Sequence, residues 1–258
     1  MRVLDVPEPV SRAALWSRRL SVFAIAVGAV AFVMLRTQTV EATAGMAVIG
    51  AAIALAVAAL LTGAAAAAII WRTGRRGFGA LLVGVCLALS FLTYPAFLAT
   101  QAFRLPMIAD VTTDIADPPA FALSPKALAA RGWRSPLTPP AAIRQAQRVA
   151  YPDVQAILLE LDPDESYQLV LKAALARGWR IVDQSAPGGR LGLGHIDAID
   201  RSLLLGFPDD VTVRIKPLGG QTKIDVRSAS RYGRHDFGAN ARRIELFAQA
   251  VQDELDAR

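Results

Sequence analysis

No aspartate or glutamate occurs between Glu41 and Asp110, and this gap constrains the chain more than any other feature. Three uncharged runs lie in and before it: Leu20–Leu35, Thr43–Trp71 and Gly77–Phe103. The second and third exceed the ~20 apolar residues that cross ~30 Å of hydrocarbon. The first covers roughly 24 Å at ~1.5 Å per residue. Snorkelling of Arg19 and Arg36, or extension through Thr37–Val40, would complete that crossing. Buried helices of a soluble core would show polar faces, and these runs show none. They contain no Asp, Glu, Lys, Arg or His, the side chains that line proton and ion paths. The expectation is a three-helix transmembrane anchor over residues 20–103 rather than a transporter. Tyr94-Pro95 should kink the third helix, and the alanine-rich second should permit close packing.

Orientation follows from arginines. Arg2, Arg12, Arg18 and Arg19 precede the first run, and Arg72, Arg75 and Arg76 fill the turn between the second and third. Arg36 alone lies in the other loop. Positive charge is retained in the cytoplasm, so residues 1–19 should be cytoplasmic and residues 104–258 extracytoplasmic. In a bacterial inner membrane the latter face the periplasm. Ser17-Arg18-Arg19-Leu20 partly resembles a twin-arginine signal, and Ala42-Thr43-Ala44 a cleavage site. The usual continuation of that motif is missing, so the first run is expected to remain as an anchor.

The formal charge of +6 invites a nucleic-acid reading until it is divided. Eight arginines against three carboxylates leave +5 on residues 1–103, and twenty bases against nineteen acids leave +1 on residues 104–258. The excess does not sit on a folded domain, which argues against DNA or RNA as partner. The partner implied by the spans is the lipid bilayer. A 53% hydrophobic, 19% charged composition excludes a disordered chain. One cysteine, Cys86, and two histidines, His195 and His235, support neither a disulfide framework nor a metal centre. No cofactor is implied.

Beyond the spans, seven prolines between Pro106 and Pro140 forbid long helices and a central strand. Residues 104–150 are expected to form an arm wrapped on the domain, with an edge strand at Asp110–Asp114 and short helices at Ser124–Arg131 and Pro140–Val149. Residues 151–258 should form an α+β domain. Asp162 is a natural N-cap with Pro163 at N1 and Glu165 at N3. Tyr167, Val170, Leu171, Ala174 and Leu175 follow at helical spacing, and Gly178 ends the run. Strands are expected at Trp179–Asp183, His195–Arg201, Leu203–Phe207, Val211–Lys216 and around Ile224 and Val226. Pro208-Asp209-Asp210 is expected as a turn, as are the region Gly188–Gly194 and Gly219-Gly220. Asp236 should cap a last helix running to about Asp256, with Ile244, Phe247, Ala248 and Val251 on one face. The preferred version is helix-grip-like, a curved antiparallel sheet around that helix.

The polar run Asp225 to Asn240 is the densest constellation. Arg227, Arg231 and Arg234 near a helix N-terminus could hold a phosphate or carboxylate, with Asn240 beside them. The alternative is a structural joint in which Arg227 pairs with Asp225 or Asp209, Asp236 caps the helix and Asn240 bonds loop carbonyls. Asp162, Asp209, Asp210 and Asp236 are assigned structural roles. The cluster Gly188 to Gly194 lacks the Gly-Lys-Ser/Thr ending and following helix of a phosphate loop. Ser228 and Ser230 have no nucleophile-elbow pattern around them.

Asp110-Val-Thr-Thr-Asp114 with Pro118-Pro119, Tyr151-Pro152, Arg177-Gly178-Trp179, Phe207-Pro208-Asp209-Asp210-Val211 and the run from Arg227 to Asn240 resemble the bacterial domain-of-unknown-function 1499 (DUF1499) family. The resemblance covers about residues 105–250, and the spans match its membrane-anchored members. It implies one compact outer unit and brings no activity, substrate or catalytic residue. The residues thus point to a membrane-tethered, non-catalytic module that binds an amphiphilic or anionic envelope ligand between sheet and last helix. A structural or assembly partner of other inner-membrane proteins is the alternative. A hydrolase using Ser228 or Asp210 with a histidine comes last.

Overall fold

The computed structural model describes residues 9–188 and 192–258. Arg2 of the flanking arginines and Gly189, Arg190 and Leu191 of the glycine cluster lie outside the described residues. The chain divides into two compact units, Met1–Thr100 and Gln101–Arg258.

Three helices open the fold: α1 (Arg12–Arg36), α2 (Ala42–Thr73) and α3 (Phe78–Arg104). At 25, 32 and 27 residues, all three are long and apolar enough to cross a membrane. The first uncharged run therefore underestimates its helix, which starts two turns earlier. Arg18 and Arg19 are exposed, and the Arg19 guanidinium lies over the Trp16 ring, so neither charge interrupts the helix. The buried stripe of α1 is Ala14, Ser17, Ser21, Ala24, Gly28, Ala31 and Leu35, a strict three–four alternation. In α2 the stripe is wholly glycine and alanine. Small residues on such a seam let helix backbones approach closely. Ser17 donates to the Ala59 carbonyl at 2.9 Å and Ser21 to that of Gly84 at 2.7 Å, which satisfies both hydroxyls across helices. α3 continues through Pro95.

The second unit is α+β. Its order is β1 (Asp110–Thr112), α4 (Pro125–Ala130), α5 (Ala141–Ala150), β2 (Ile157–Leu159), α6 (Pro163–Ala176), β3 (Arg180–Gly188), β4 (Leu193–Arg201), β5 (Pro208–Leu218), β6 (Gln221–Ser230) and α7 (Ala239–Asp256). The sheet runs β1-β6-β5-β4-β3, with β2 also on β6, and every pairing is antiparallel. Asp162 accepts from the Glu165 amide at the start of α6. Ahead of α7, Asp236 accepts from the Gly238 and Asn240 amides; Gly238 itself, at φ 83°, is the residue that turns into the helix.

Strand alternation gives the sheet two unlike faces. Ile196, Val213 and Val226 stand opposite one another, as do Ala198 and Val211. This apolar face packs on α6 and α7 through Val170, Ala174, Ile244, Phe247 and Val251, all buried. Trp179 stacks on Phe247 with centroids 4.6 Å apart. The other face carries Asp197, Thr212 and Arg227 in one row, and Arg214 and Asp225 in the next. Segments of the Pro-rich region cover it, as described below.

One expected turn is a strand. Asp209 and Asp210 belong to β5, paired with Asp200 and Ile199, and the reversal is made by Ser202–Phe207 instead. Gly206 at φ 69° supplies the left-handed turn residue, and Ser202 bonds the Phe207 amide through its hydroxyl. The aspartates tolerate the strand because each meets an arginine.

Candidate functional site: two arginine-centred layers

Arg243 organises the helix-side layer. It stands on α7, and its side chain is 6% exposed. It donates to Asp200 at 2.6 Å, to Asp209 at 2.5 Å, to Ser228 Oγ and to Asn240 Oδ1. Asn240 also accepts from Ser228 at 2.7 Å and donates to Ser230 and the Ala109 carbonyl. Burial pushes the Asp209 carboxyl up despite the nearby guanidinium. Burial also opposes the Arg243 charge, but Asp209 and Asp200 outweigh it and raise its pKa.

The opposite layer holds more charge. Arg227, 1% exposed, forks onto Asp110 with contacts of 2.7 and 3.0 Å. It donates as well to the Pro119 and Leu137 carbonyls and lies 5.0 Å from the Phe121 ring centroid. Arg131, from the end of α4, meets Asp197 at 2.8 Å and the Ala122 carbonyl. Arg231 clamps Asp210 at 2.7 Å and reaches the Ala130 carbonyl. Arg214 joins Asp225, Asp117 and Asp114, and Lys223 joins Asp114 and Asp225. Desolvation raises the Asp110 and Asp210 carboxyls against their arginine partners. At the more open Asp114, burial pushes upward, but the Lys223 hydrogen bond, the Asp117 amide and the charges of Lys223 and Arg214 together lower the carboxyl.

The arginines singled out in the sequence thus do two different things. Arg227 and Arg231 are bound into the fold, and Asn240 is fully satisfied inside it. Arg227 pairs with Asp110, not with the expected Asp225 or Asp209. Arg234 is exposed and makes no ion pair among the described residues. These groups do not converge on an open anion site. The hydrolase constellation does not assemble either: Ser228 bonds Asn240 and Arg243, while Asp210 bonds Arg231. His195 Nε2 lies 3.1 Å from Asp183, and His235 Nδ1 accepts from the Phe237 amide. Asp183 also accepts from Ser124, so the carboxylate separates that serine from His195 instead of a histidine activating it. Burial raises the Asp183 carboxyl, but the Ser124 and His195 bonds outweigh it and leave it lowered.

Residues 110–251 match the family described as "Protein of unknown function (DUF1499)". The chain belongs to the DUF1499 family. No curated protein matches it. The DUF1499 region starts at Asp110 and takes in every ion pair of both layers, so Asp110 belongs to the same unit as its partner Arg227. Arg243, Arg131 and Arg214 are the principal site residues that sequence reasoning missed. Most of their carboxylate partners lie far away in sequence, and an arginine reads as a solvated charge until its partner is placed.

Proposed function

We propose that this DUF1499 protein is a membrane-anchored module of the inner membrane. Its N-terminus is cytoplasmic, residues 104–258 stand in the periplasm, and the outer unit acts by docking rather than by turnover. One observation carries this reading: the polar groups that would otherwise make a ligand or catalytic site are consumed in internal pairs. Ser228, Asn240, Arg227, Arg231 and Arg243 each bond to partners of the fold, and the space between sheet and α7 is filled by Ile196, Val213, Val226 and Phe247. A rigid body with such an interior offers its surface. The arginines at the α1 and α2–α3 ends supply the topology by the positive-inside rule.

A second reading keeps a small amphiphilic envelope ligand but moves it. A cleft of about 300 Å³ between α4, α6 and β3 is lined by Lys126, Leu171, Leu175, Ile181, Asp183 and Gln184, an apolar wall with an ionic rim. Native mass spectrometry of the full chain extracted from membranes, joined to reporter fusions after Arg76 and Ile108, tests both readings. The docking reading expects no stoichiometric small molecule, a cytoplasmic signal after Arg76 and a periplasmic one after Ile108. A bound amphiphile lost on Lys126→Ala would favour the cleft, and a cytoplasmic signal after Ile108 would overturn the topology.

A further inference from the structure

The chain enters the outer unit at one end of the sheet. Arg104 closes α3, and four residues later the Ile108 carbonyl accepts from the Asp236 amide at 3.0 Å. The Ala109 carbonyl then accepts from Ser230, the last residue of β6. Four residues span at most roughly 14 Å, so this sheet end cannot lie far from the end of α3. The Ser202–Phe207 turn belongs to the same end, since Arg201 pairs with Pro208, and Asp209 with Ser230. So does the loop after β6, where Tyr232 packs against Phe207 at 5.5 Å.

That end exposes side chains a protein surface normally withholds. Leu203 is 94% exposed and Trp133 72%, with Leu204, Tyr232 and Met107 also exposed. Trp133 follows closely on Ala130, whose carbonyl holds Arg231. Arg104, Arg134 and Arg234 are exposed beside them, while Asp200, Asp209 and Asp210 are held by Arg243 and Arg231. Leucine, tryptophan and tyrosine bordered by arginine is the chemistry of a membrane–water interface carrying anionic headgroups.

We infer that this tethered end is a bilayer-seating surface: the Leu203-Leu204 turn and Trp133 enter the interface of an anionic phospholipid membrane, and Arg134 and Arg234 meet its phosphates. The inference rests on the docking reading and names its partner as the membrane that holds the anchor. It gives the tether a purpose, because a linker this short leaves the surface within reach of the lipid.

The test places a nitroxide at Leu203→Cys in full-length protein carrying Cys86→Ser, reconstituted in vesicles. Leu218→Cys, an exposed leucine at the opposite sheet end beside the Gly219-Gly220 turn, is the control. In vesicles containing phosphatidylglycerol, the label at 203 should lose collisions with a water-soluble nickel chelate and gain them with oxygen, while the label at 218 stays aqueous. Phosphatidylcholine alone, or Arg134→Gln with Arg234→Gln, should weaken that difference. An aqueous label at 203 in both lipids overturns the inference, and equal burial in both overturns its anionic component. Shielding from both oxygen and nickel means a protein neighbour, such as a second copy, and also overturns it. Collision depth does not depend on which side of a cell membrane the unit occupies, so failure here and failure of the topology are read separately.

Discussion

The side-chain amide of Gln147 pairs with both backbone groups of Thr112: Oε1 accepts from its amide at 3.1 Å, and Nε2 donates to its carbonyl at 2.6 Å. Thr112 ends β1, an outer strand of the sheet, and Gln147 stands on α5 in the Pro-rich region. One glutamine thus does the work of a neighbouring strand and closes an edge that would otherwise recruit one. Both residues are almost wholly buried.

Gln147→Leu keeps the volume but leaves a buried donor and acceptor unpaired. Each such group costs about 1–3 kcal/mol. Urea melts of the full chain in detergent should show a destabilisation in that range or above, while exposed Gln145→Leu on the same helix should change little.

The pair Asp110–Arg227 joins residues 117 apart and should behave as a buried ion pair. Removing one partner of such a pair costs about 3–5 kcal/mol, while replacing both with apolar residues costs far less. Asp110→Leu and Arg227→Met should each be severely destabilised, and the double variant should recover much of the loss. Additive losses in that cycle would show the two side chains to be independent.

Tyr151 offers a pH signature. Burial, then the charges of Asp236 and Glu245, push its phenol up to about 12 from 10.0. The folded state therefore keeps a proton that the unfolded chain releases above pH 10. Stability should fall as pH rises from 10 towards 12, and Tyr151→Phe should flatten that slope. Absorbance titration of the phenolates checks the shift directly.

Within the anchor, a side chain at Gly84 has no room: its Cβ would lie 2.7 Å from the Arg18 amide nitrogen and equally close to Ser17 Oγ. Gly84→Val should lower the melting temperature in detergent, because α1 and α3 must separate. Gly79→Ala, with open space around it, should not.

The sequence made the elements legible where periodicity and end signals agree. α6 has its Asp162 cap, its Pro163 start and its Gly178 stop, and β5 and β6 alternate as their buried faces require. Three-residue β2 is too short to show a period. Pro208-Asp209-Asp210 carries turn chemistry, and only Arg243 and Arg231, folded in from later elements, make it a strand. The candidate site was visible as residues but not as pairs. The contacts Arg214–Asp117 and Arg131–Asp197 span 97 and 66 residues, and nothing local encodes a partner at such distance. What reads locally as a basic cluster before a helix is, in the fold, mostly half of an internal ion network.

These arginines hold the fold through their carboxylate bonds, and their guanidinium protons report it. In the full chain at neutral pH, the Nε–H groups of Arg227, Arg231 and Arg243, each bonded to a carboxylate, should give slowly exchanging NMR signals. The exposed Arg234 should exchange at the solvent rate. Inorganic phosphate should leave the three slow signals unmoved. Fast exchange at Arg227 and Arg231, or their displacement by phosphate at low concentration, would show instead an open anion site at the start of α7.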